Sequence, residues 1–414
     1  MMYQRFDRDV VTRRRLLVMG LAGVSGAVAV GVPTMSRAVA AAGGTRKRQS
    51  ESELDAALRA MVGGSDDPAL EPVGATGLVV ANAMRWRGAA GYADWERRQL
   101  ARSGVDYRFR FGSVGKTFTA TMVLQLADEG RLKLDDPVGR HLPDVVPADD
   151  QMTVRHLLGM SSGLVDYTTL LSPTLRPGYA SYREFFDATR APIAPRDLVD
   201  LAVGEGMRFQ PGEHFDYCTT NYIVLGLVLE RVTGRPYVDE LQRRITDPLG
   251  LRHTSVPEGR ELPAPFLHGY GHFNDRAREW VDVSIRYEQG WAGGGLVSTM
   301  TDVSRFFQAL MTGRLLPPRW LTEMKTPLGA LPFAGGPDGQ DYGLGLQRFD
   351  HATGDSTWGH GGQTHGYMNT AMCSADGRLS IVVCYTGFPR REGGTADPSA
   401  AFLDVAREVS CWAG

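Results

Sequence analysis

The sequence predicts an α+β protein, in which an antiparallel sheet flanked by helices is built from both ends of the chain and a mainly helical domain is inserted between them. Stretches with strand character occur near both ends, at residues 76–84, 88–92, 358–362, 367–373 and 379–385. Between them, prolines punctuate a long stretch of helices and loops. The predicted sheet domain comprises residues 75–133 and 288–414, and the helical domain comprises residues 134–287.

The elements follow one another in a simple order. A linker and an N-terminal helix are predicted for residues 41–74, and the pattern Ser50-x-x-Glu53 indicates that this helix begins with a capping box. A short strand at residues 109–111 leads directly into a helix opened by Ser113. Further helices are predicted at residues 153–158, 221–232, 302–311 and 400–412.

Composition places the chain among ordinary globular proteins. Its 414 residues are 43% hydrophobic and 22% charged, so the chain is long enough to bury a large core. Residues 1–40 hold six arginines and two aspartates, so their removal changes the formal charge from −2 to −6. A mildly acidic protein is a poor partner for nucleic acid, and no nucleic acid is expected to bind.

The first 40 residues predict a twin-arginine-type signal peptide. Paired arginines at 13–15 precede a mild apolar run at residues 16–32, and small residues at 38–40 suit cleavage. A membrane anchor is the alternative, but the run is short for a span and glycines interrupt it. The protein is therefore expected to be secreted, with membrane contact only during export.

Two of the four cysteines flank a predicted hairpin turn near the end of the chain. Pairing outward from that turn places Cys373 opposite Ser380 and Cys384 opposite Asn369. The two sulfur atoms would then lie too far apart to bond. Both cysteines are expected to be buried apolar residues rather than a disulfide.

Ser113 and Lys116 form the first candidate site. In a helix they lie on one face, so the hydroxyl could act as a nucleophile and the amine beside it as proton acceptor, provided that burial favours the neutral amine. The segment also resembles the end of a nucleotide-binding loop, but Arg110 stands where the first glycine of that motif is required. The nucleotide interpretation is therefore excluded.

Two later stretches offer partners for the nucleophile. Tyr217 follows a Pro-Gly turn and precedes an apolar helix, and His360 lies on a predicted edge strand rich in glycine. By themselves, the tyrosine fits a buried core residue and the histidine fits a turn. No spacing of His or Cys resembles a set of metal ligands, so neither a metal nor an organic cofactor is expected.

Taken together, the three motifs resemble those of the penicillin-recognising serine hydrolases, which include class C β-lactamases, esterases and secreted D-alanyl-D-alanine carboxypeptidases. Similar phrases extend over about residues 75–410, among them FGSVGKTFTATMVLQLADEGRLKLDDPV, TVRHLLGMSSGL, PGEHFDYCTTNYIVLGLVLERVTG, AGGGLVSTMTDVSRFF and YGLGLQ. The resemblance implies a β-lactamase/transpeptidase-like fold and formation of an acyl-enzyme.

The resemblance also implies roles for individual residues. Ser113 would be the acylated nucleophile, Lys116 its proton partner and Tyr217 a second base or proton relay. His360 would keep Tyr217 acidic and the pocket positive toward a substrate carboxylate. The backbone N–H groups of Ser113 and Gln363 would form the oxyanion hole. The small residues that let this strand approach the nucleophile are Gly361 and Gly362.

The chain departs from the usual family pattern at two places. Cys218-Thr219 replaces Ser-Asn, which removes a side-chain amide from the substrate-binding position of Thr219, and Gly361 to Gln363 lack two hydroxyl groups that could bind a terminal carboxylate. Arg348 could replace them as a carboxylate partner, or be an ordinary surface arginine. Trp291 is expected to form either a pocket wall or part of the core.

These observations predict an exported serine hydrolase that acts on a small peptide or ester. The leading expectation is a D-alanyl-D-alanine carboxypeptidase of cell-wall peptides, with β-lactams as covalent inhibitors or slow substrates. The alternatives are an esterase, peptidase, acyltransferase or β-lactamase of the same fold, and a penicillin-binding sensor that is acylated without turnover.

Overall fold

The structure, a computed structural model, describes the following residues: 34–62, 72–82, 84–147, 150–171, 192–257, 259, 262–272, 280–284, 290–327, 341–351, 354–387 and 398–411, with side chains described for all of them except 34–46 and 411. The predicted signal peptide lies largely outside these residues. Among the described residues, no helix is both long enough and apolar enough to span a bilayer.

Eleven strands and twelve α-helices are described, together with short 3-10 and π turns. The strands are β1 (Gly74–Ala81), β2 (Met84–Asp94), β3 (Gln99–Leu100), β4 (Arg108–Arg110), β5 (Tyr270–His272), β6 (Trp280–Asp282), β7 (Val297–Thr299), β8 (Gln347–Asp350), β9 (Ser356–Thr364), β10 (Tyr367–Ser374) and β11 (Leu379–Thr386). The helices are α1 (Thr34–Ala60), α2 (Gly115–Asp128), α3 (Val154–Leu158), α4 (Tyr167–Leu170), α5 (Pro195–Val203), α6 (Thr220–Thr233), α7 (Tyr237–Leu241), α8 (Asp247–Leu249), α9 (Trp291–Gly294), α10 (Met300–Met311), α11 (Pro318–Lys325) and α12 (Ser399–Cys411).

The main sheet has seven antiparallel strands in the order β3-β2-β1-β11-β10-β9-β8. Strand β1 pairs with β2 on one side and with β11 on the other, so that both ends of the chain contribute to one sheet. In the β10–β11 hairpin, Cys373 lies opposite Ser380 and Cys384 lies opposite Asn369. The predicted register is confirmed, and both thiols are buried and free.

Two apolar layers cover the two faces of this sheet. On one face, α1 and α12 pack their apolar sides against the strands, with Leu54, Leu58 and Phe402 fully or almost fully buried. On the other face, α2 and α10 belong to a larger core, in which the rings of Phe118 and Phe306 stack. That core continues into α3 and α6, so the inserted helices share it with the sheet.

The predicted start of the N-terminal helix is wrong. Helix α1 begins at Thr34, so Ser50 and Glu53 lie inside it and form no capping box. The reason is that residues 34–49 contain several alanines and no proline, and alanine favours helix continuation most strongly. The region 134–287 also contains one short hairpin, β5–β6, that the sequence did not predict.

Candidate active site

The turn that carries Ser113 lies between strand β4 and helix α2. Residues Gly112–Val114 form one turn of 3-10 helix, which leaves the Ser113 side chain half-buried. Gly112 has a φ angle of +54°, and a Cβ atom there would lie 2.6 Å from the carbonyl oxygen of Gln363. Only glycine satisfies both constraints. The nucleophile is therefore held on a fixed turn that touches strand β9.

Lys116 lies next to Ser113 and is completely buried. Its Nζ atom is 3.0 Å from Ser113 Oγ, 2.7 Å from the Gly293 carbonyl oxygen and 3.4 Å from Thr219 Oγ1. A neutral amine has two N–H donors and one lone pair, and the carbonyl oxygen of Gly293 only accepts. When the two N–H groups donate to Gly293 and Thr219, the lone pair faces Ser113 and accepts its proton. This is the geometry of a general base.

The surroundings of Lys116 favour its neutral form. Burial lowers the pKa of the amine to about 8, and the negative charge of Asp166 acts in the opposite direction. Asp166 is linked to Lys116 through Thr219, because its Oδ2 atom accepts the backbone N–H of Thr219 at 3.1 Å. Among the described side chains, no carboxylate lies within ion-pair distance of Lys116, so no direct ion pair offsets the cost of burying its charge.

Tyr217 and His360 lie on the other side of the lysine. The Nζ atom of Lys116 is 5.0 Å from the centre of the Tyr217 ring, and the ring centres of Tyr217 and His360 are 6.1 Å apart. The structure thus brings together Ser113, Lys116, Tyr217 and His360 from three distant segments of the chain. Their catalytic roles stay predictions.

His360 is buried and neutral. Burial, together with the nearby positive charge of Lys116, lowers the pKa of its imidazole to about 3. Its Nδ1 atom contacts the carbonyl oxygen of Gly361, and its Nε2 atom is 3.1 Å from the Tyr342 hydroxyl. The expectation that His360 keeps the pocket positive is therefore wrong, because a neutral imidazole adds no charge near pH 7.

Strand β9 passes directly beside the nucleophile. A Cβ atom at Gly362 would lie 2.0 Å from the Phe111 carbonyl oxygen, so a side chain there would push the strand away. The Asn369 amide on β10 strengthens this contact, since its Nδ2 donates to the Arg110 carbonyl at 2.9 Å. This close approach is what an oxyanion hole formed by the N–H groups of Ser113 and Gln363 requires, and that role stays a prediction.

The position of strand β9 in the sheet differs from the prediction. It is not the edge strand, because β8 pairs with its first half, from Ser356 to Gly359. The second half extends past the end of β8, and there Gly361 N–H donates instead to the Gln347 side-chain oxygen at 2.7 Å. On the side away from β10, the half that faces Ser113 pairs with no strand among the described residues, which leaves room for the nucleophile turn.

Two residues predicted to bind substrate, Arg348 and Trp291, instead contact other residues of the protein. The guanidinium of Arg348 contacts Asp350 at 2.8 Å and Ser356 at 3.2 Å, so it is occupied within the outer strand pair and is not brought to Ser113. Its predicted role as a carboxylate partner is not supported by these contacts. Trp291 packs against Tyr237, with ring centres 5.1 Å apart, and against the main core.

Trp291 has a second feature, which concerns its backbone. Its φ angle is +33°, an uncommon conformation for a residue with a side chain. The residue opens the short helix α9, whose carbonyl oxygens at Ala292 and Gly293 accept from Thr119 Oγ1 and Lys116 Nζ, both at 2.7 Å. The strained turn thus directs two carbonyl groups at helix α2, and Trp291 supports the site through its backbone.

Sequence reasoning missed Tyr342, Asp166 and Asn369, which contact the site from distant segments. The only sequence signal for Tyr342 is the phrase YGLGLQ, which begins with it. Cys218 is buried beside Tyr217, and burial raises the pKa of its thiol far above the ordinary range, so it is not a competing nucleophile. Within the described part of the chain, no cluster of three or more His, Cys, Asp or Glu residues is arranged to hold a metal.

The fold and the Ser-Lys-Tyr arrangement define a penicillin-binding-like serine hydrolase. The sequence model of the Beta-lactamase family matches residues 31–405, and the chain belongs to that family.

Several relatives share most of this fold. The chain is 34% identical to a D-stereospecific amidohydrolase from Streptomyces sp., whose solved structure has a TM-score of 0.73 and matches over 86% of this chain and 98% of that one. A D-amino acid amidase from Ochrobactrum anthropi SV3, solved in complex with D-phenylalanine, is 25% identical with a TM-score of 0.71 over 87% of this chain and 99% of that one.

Curated relatives are matched over part of their length. A D-aminopeptidase of Brucella anthropi is 28% identical over 342 residues, which are 82% of this chain and 60% of the relative. A penicillin-binding protein 4 of Amycolatopsis lactamdurans is 32% identical over 183 residues, which are 40% of this chain and 44% of the relative. The chain thus spans about half the length of the curated relatives it matches.

Proposed function

We propose that this protein is an exported serine hydrolase that forms an acyl-enzyme at Ser113 and hydrolyses amides of D-amino acids. The observation that carries the chemistry is the buried Lys116 amine, 3.0 Å from Ser113 Oγ and without a carboxylate partner among the described side chains. The substrate class rests on the likeness to a D-stereospecific amidohydrolase over nearly the whole of that protein.

In the proposed reaction, neutral Lys116 takes the proton of the Ser113 hydroxyl as Oγ attacks the amide carbonyl carbon. The carbonyl oxygen becomes an oxyanion and accepts from the backbone N–H groups of Ser113 and Gln363. Tyr217 passes a proton to the leaving amine, the C–N bond breaks, and an ester to Ser113 remains. A water molecule then attacks the carbonyl carbon of the ester and gives a proton to the same groups. The bond to Ser113 Oγ breaks, Oγ regains a proton from these groups, and the D-amino acid is released.

Asp166 supports a substrate that carries a free ammonium group. Its carboxylate is half-buried, accepts the backbone N–H groups of Thr168 at 3.0 Å and Thr219 at 3.1 Å, and forms no ion pair with any described side chain. The α-nitrogen of an amino acid amide is only about 2.5 Å from the carbonyl carbon that Ser113 attacks. The negative charge of Asp166 beside Thr219 therefore suits that nitrogen better than it suits a carboxylate.

Hydrolysis of the two enantiomers of phenylalanine amide tests the proposal. We expect release of ammonia from D-phenylalanine amide at a rate well above that for the L-enantiomer, and no activity in the variant Ser113→Ala. In Asp166→Asn, the rate should fall for D-phenylalanine amide and be retained for its N-acetyl derivative, which has no ammonium group. Equal rates for both enantiomers, or an active Ser113→Ala variant, would contradict the proposed function.

The second candidate is the D-alanyl-D-alanine carboxypeptidase, favoured by the likeness to penicillin-binding proteins. It ranks second because neither residue expected to attract the terminal carboxylate offers a free positive charge. His360 is neutral, and Arg348 forms an ion pair with Asp350. Release of D-alanine from a D-Ala-D-Ala peptide, without turnover of D-amino acid amides, would reverse this order. Persistent labelling by a fluorescent penicillin with turnover of neither substrate would instead support a sensor.

Export through a twin-arginine pathway is part of the proposal and rests on the sequence of residues 1–40 alone. Replacement of Arg13 and Arg14 by lysine should keep the active hydrolase inside the cell. Activity in the culture medium at the unchanged level would contradict this route.

A further inference from the structure

The turn formed by Tyr342–Gln347 contacts two of the elements that carry the proposed catalytic groups, helix α2 and strand β9. Thr117 Oγ1, next to Lys116, donates to the Gly345 carbonyl at 2.8 Å. The Tyr342 hydroxyl reaches His360 Nε2 at 3.1 Å, and Gln347 Oε1 accepts the Gly361 N–H at 2.7 Å. A single turn is thus bonded to helix α2 and to two successive residues of strand β9.

Two glycines allow the turn to enter the core this deeply. A Cβ atom at Gly343 would lie 2.1 Å from the Met324 carbonyl oxygen, and one at Gly345 would lie 2.4 Å from Ala120 Cβ and 2.6 Å from the Tyr222 hydroxyl. Gly345 also has a φ angle of +73°, which favours glycine. The turn is therefore packed beneath the site without room for adjustment.

The contact between Tyr342 and His360 fixes the position of a proton. The Gly361 carbonyl oxygen that meets His360 Nδ1 can only accept, so Nδ1 carries the hydrogen. In the neutral ring, Nε2 then has a lone pair that faces the Tyr342 hydroxyl at 3.1 Å, and the single hydrogen of this hydroxyl can be donated to Nε2 or to the Tyr222 oxygen. Tyr222, which also contacts Tyr342, directs its own hydroxyl hydrogen to the Leu158 carbonyl at 3.0 Å.

Tyr342 also limits the movement of Tyr217. The two rings meet at 89° with centres 6.0 Å apart, and Tyr342 meets the His360 ring at 90° with centres 5.6 Å apart. Tyr342 is almost completely buried, so it cannot rotate away without opening the core. A rotation of Tyr217 toward Tyr342 is blocked in the same way.

We infer that Tyr342 and Gln347 are positioning residues of this active site: Tyr342 holds His360 as the Nδ1–H tautomer and fixes the angle of the Tyr217 ring, while Gln347 holds the Gly361 segment of strand β9 beside Ser113. Neither residue touches the reacting atoms. The inference rests on the proposed function, because it assigns an effect on the reaction of Ser113, Lys116 and Tyr217.

The first test is Tyr342→Phe, which keeps the ring and removes the hydroxyl donor. We expect kcat for a short aryl ester to fall about tenfold while KM is unchanged, because an unsatisfied Nε2 is free to change tautomer and partner. The matched control is Tyr237→Phe, which removes an equally buried hydroxyl bonded to Thr119 at 2.8 Å. The control should keep kcat.

A spectroscopic measurement separates positioning from a loss of stability. In ¹⁵N-histidine-labelled protein, the His360 signals, assigned by their absence in His360→Asn, should show a protonated Nδ1 and an unprotonated Nε2 between pH 5 and pH 9. In Tyr342→Phe the Nε2 shift should move. A protonated Nε2 in the wild type, or unchanged signals and unchanged kcat in Tyr342→Phe, would overturn the inference.

The second test concerns Gln347 and includes a conservative rescue. Gln347→Leu removes the acceptor of Gly361 N–H and should lower kcat about tenfold, whereas Gln347→Glu keeps an acceptor and should retain most of the activity. Equal losses in both variants would overturn the role of Gln347. Acylation by a fluorescent penicillin serves as readout for all variants, so the inference is testable even if D-amino acid amides prove not to be substrates.

Discussion

Lys116 and Arg244 are both buried basic side chains, and their surroundings differ in one respect. Lys116 is completely buried, no carboxylate of the described residues lies in ion-pair distance of its amine, and its pKa is lowered to about 8. Arg244 is nearly as buried, but it contacts Glu240 and also Glu129, at 3.0 Å for one nitrogen–oxygen pair, and these carboxylates raise its pKa. Burial without a counter-charge produces a reactive amine, whereas burial with two counter-charges produces a structural link.

The difference also follows from the chemistry of the two groups. A lysine amine loses its proton when burial is not offset, while a guanidinium stays charged in proteins. Arg244 lies on a π-helical turn, Gln242–Thr246, from which it ties helix α7 to the end of α2 through Glu240 and Glu129. Lys116 should therefore be dispensable for stability, and Arg244 should be dispensable for catalytic activity.

The largest expected effect comes from Lys116→Met. Loss of the proton acceptor should lower kcat/KM by about a thousandfold or more, while the free energy of unfolding should not fall, because the fold no longer buries an unpaired amine. Aryl ester hydrolysis and urea unfolding measure the two quantities. An active variant, or one whose free energy of unfolding falls by several kcal/mol, would contradict the view that Lys116 serves catalysis and not stability.

The opposite substitution is Arg244→Met, which removes the buried cation between Glu240 and Glu129 and leaves Glu240 with only the exposed Arg243 and Arg235 as cationic partners. The free energy of unfolding should fall by about 3–5 kcal/mol, with kcat per folded molecule unchanged. Arg243→Met is the matched control: Arg243 also contacts Glu240, at 2.8 Å, but its side chain is 49% exposed, so the loss should stay below about 1 kcal/mol. Similar losses in both variants would show that burial of Arg244 is not the cause.

The pH dependence of the reaction sharpens the contrast further. Lys116 accepts a proton only when neutral, so kcat/KM for an uncharged ester should rise tenfold per pH unit below the lysine pKa of about 8 and level off above it. From pH 6 to pH 8 the increase should be about fiftyfold, because half of the amine is still protonated at pH 8. His360, with a pKa of about 3, contributes nothing in that range. A profile that is flat from pH 6 to pH 9 would contradict the assignment of Lys116.

The smallest expected effect is that of Thr219→Val. The hydroxyl accepts from Lys116 at the long distance of 3.4 Å, and this contact favours the charged amine. Its removal should shift the pH profile slightly to lower pH and change kcat/KM only a few-fold, in keeping with about 1 kcal/mol for one weak hydrogen bond. Thr219→Ser keeps the hydroxyl and should behave as wild type. A profile that moves to higher pH in the valine variant would be inconsistent with this role.

Local patterns made the nucleophile turn predictable. The strand before Ser113, the glycine at 112 and the apolar face of helix α2 are encoded within about 20 neighbouring residues, and the hairpin register around Cys373 depends only on its turn. For this reason the antiparallel sheet and the Ser113–Lys116 pair agree with the structure.

The remaining features depend on tertiary contacts that the sequence does not display. The neutral state of His360 follows from its burial. The ion pair of Arg348 with Asp350 depends on the fold, because the sequence does not show which surface arginines have an acidic partner. Tyr342 is 125 residues from Tyr217 and 18 from His360 along the chain, so no local pattern connects it with them. The start of helix α1 was misplaced because a capping motif inside a continuing helix looks the same as one at its beginning.

The central place of strand β1 has a consequence for how the active site is made. Thr386 on β11 reaches the Gly74 carbonyl on β1 across 312 residues of chain. Contacts between segments so far apart form slowly, because the entropy cost of closing a long loop comes before the contacts stabilise the chain. A chain still being synthesised contains Ser113 and Lys116 long before it contains strand β9. The ability to acylate should therefore appear only once nearly the whole polypeptide has left the ribosome.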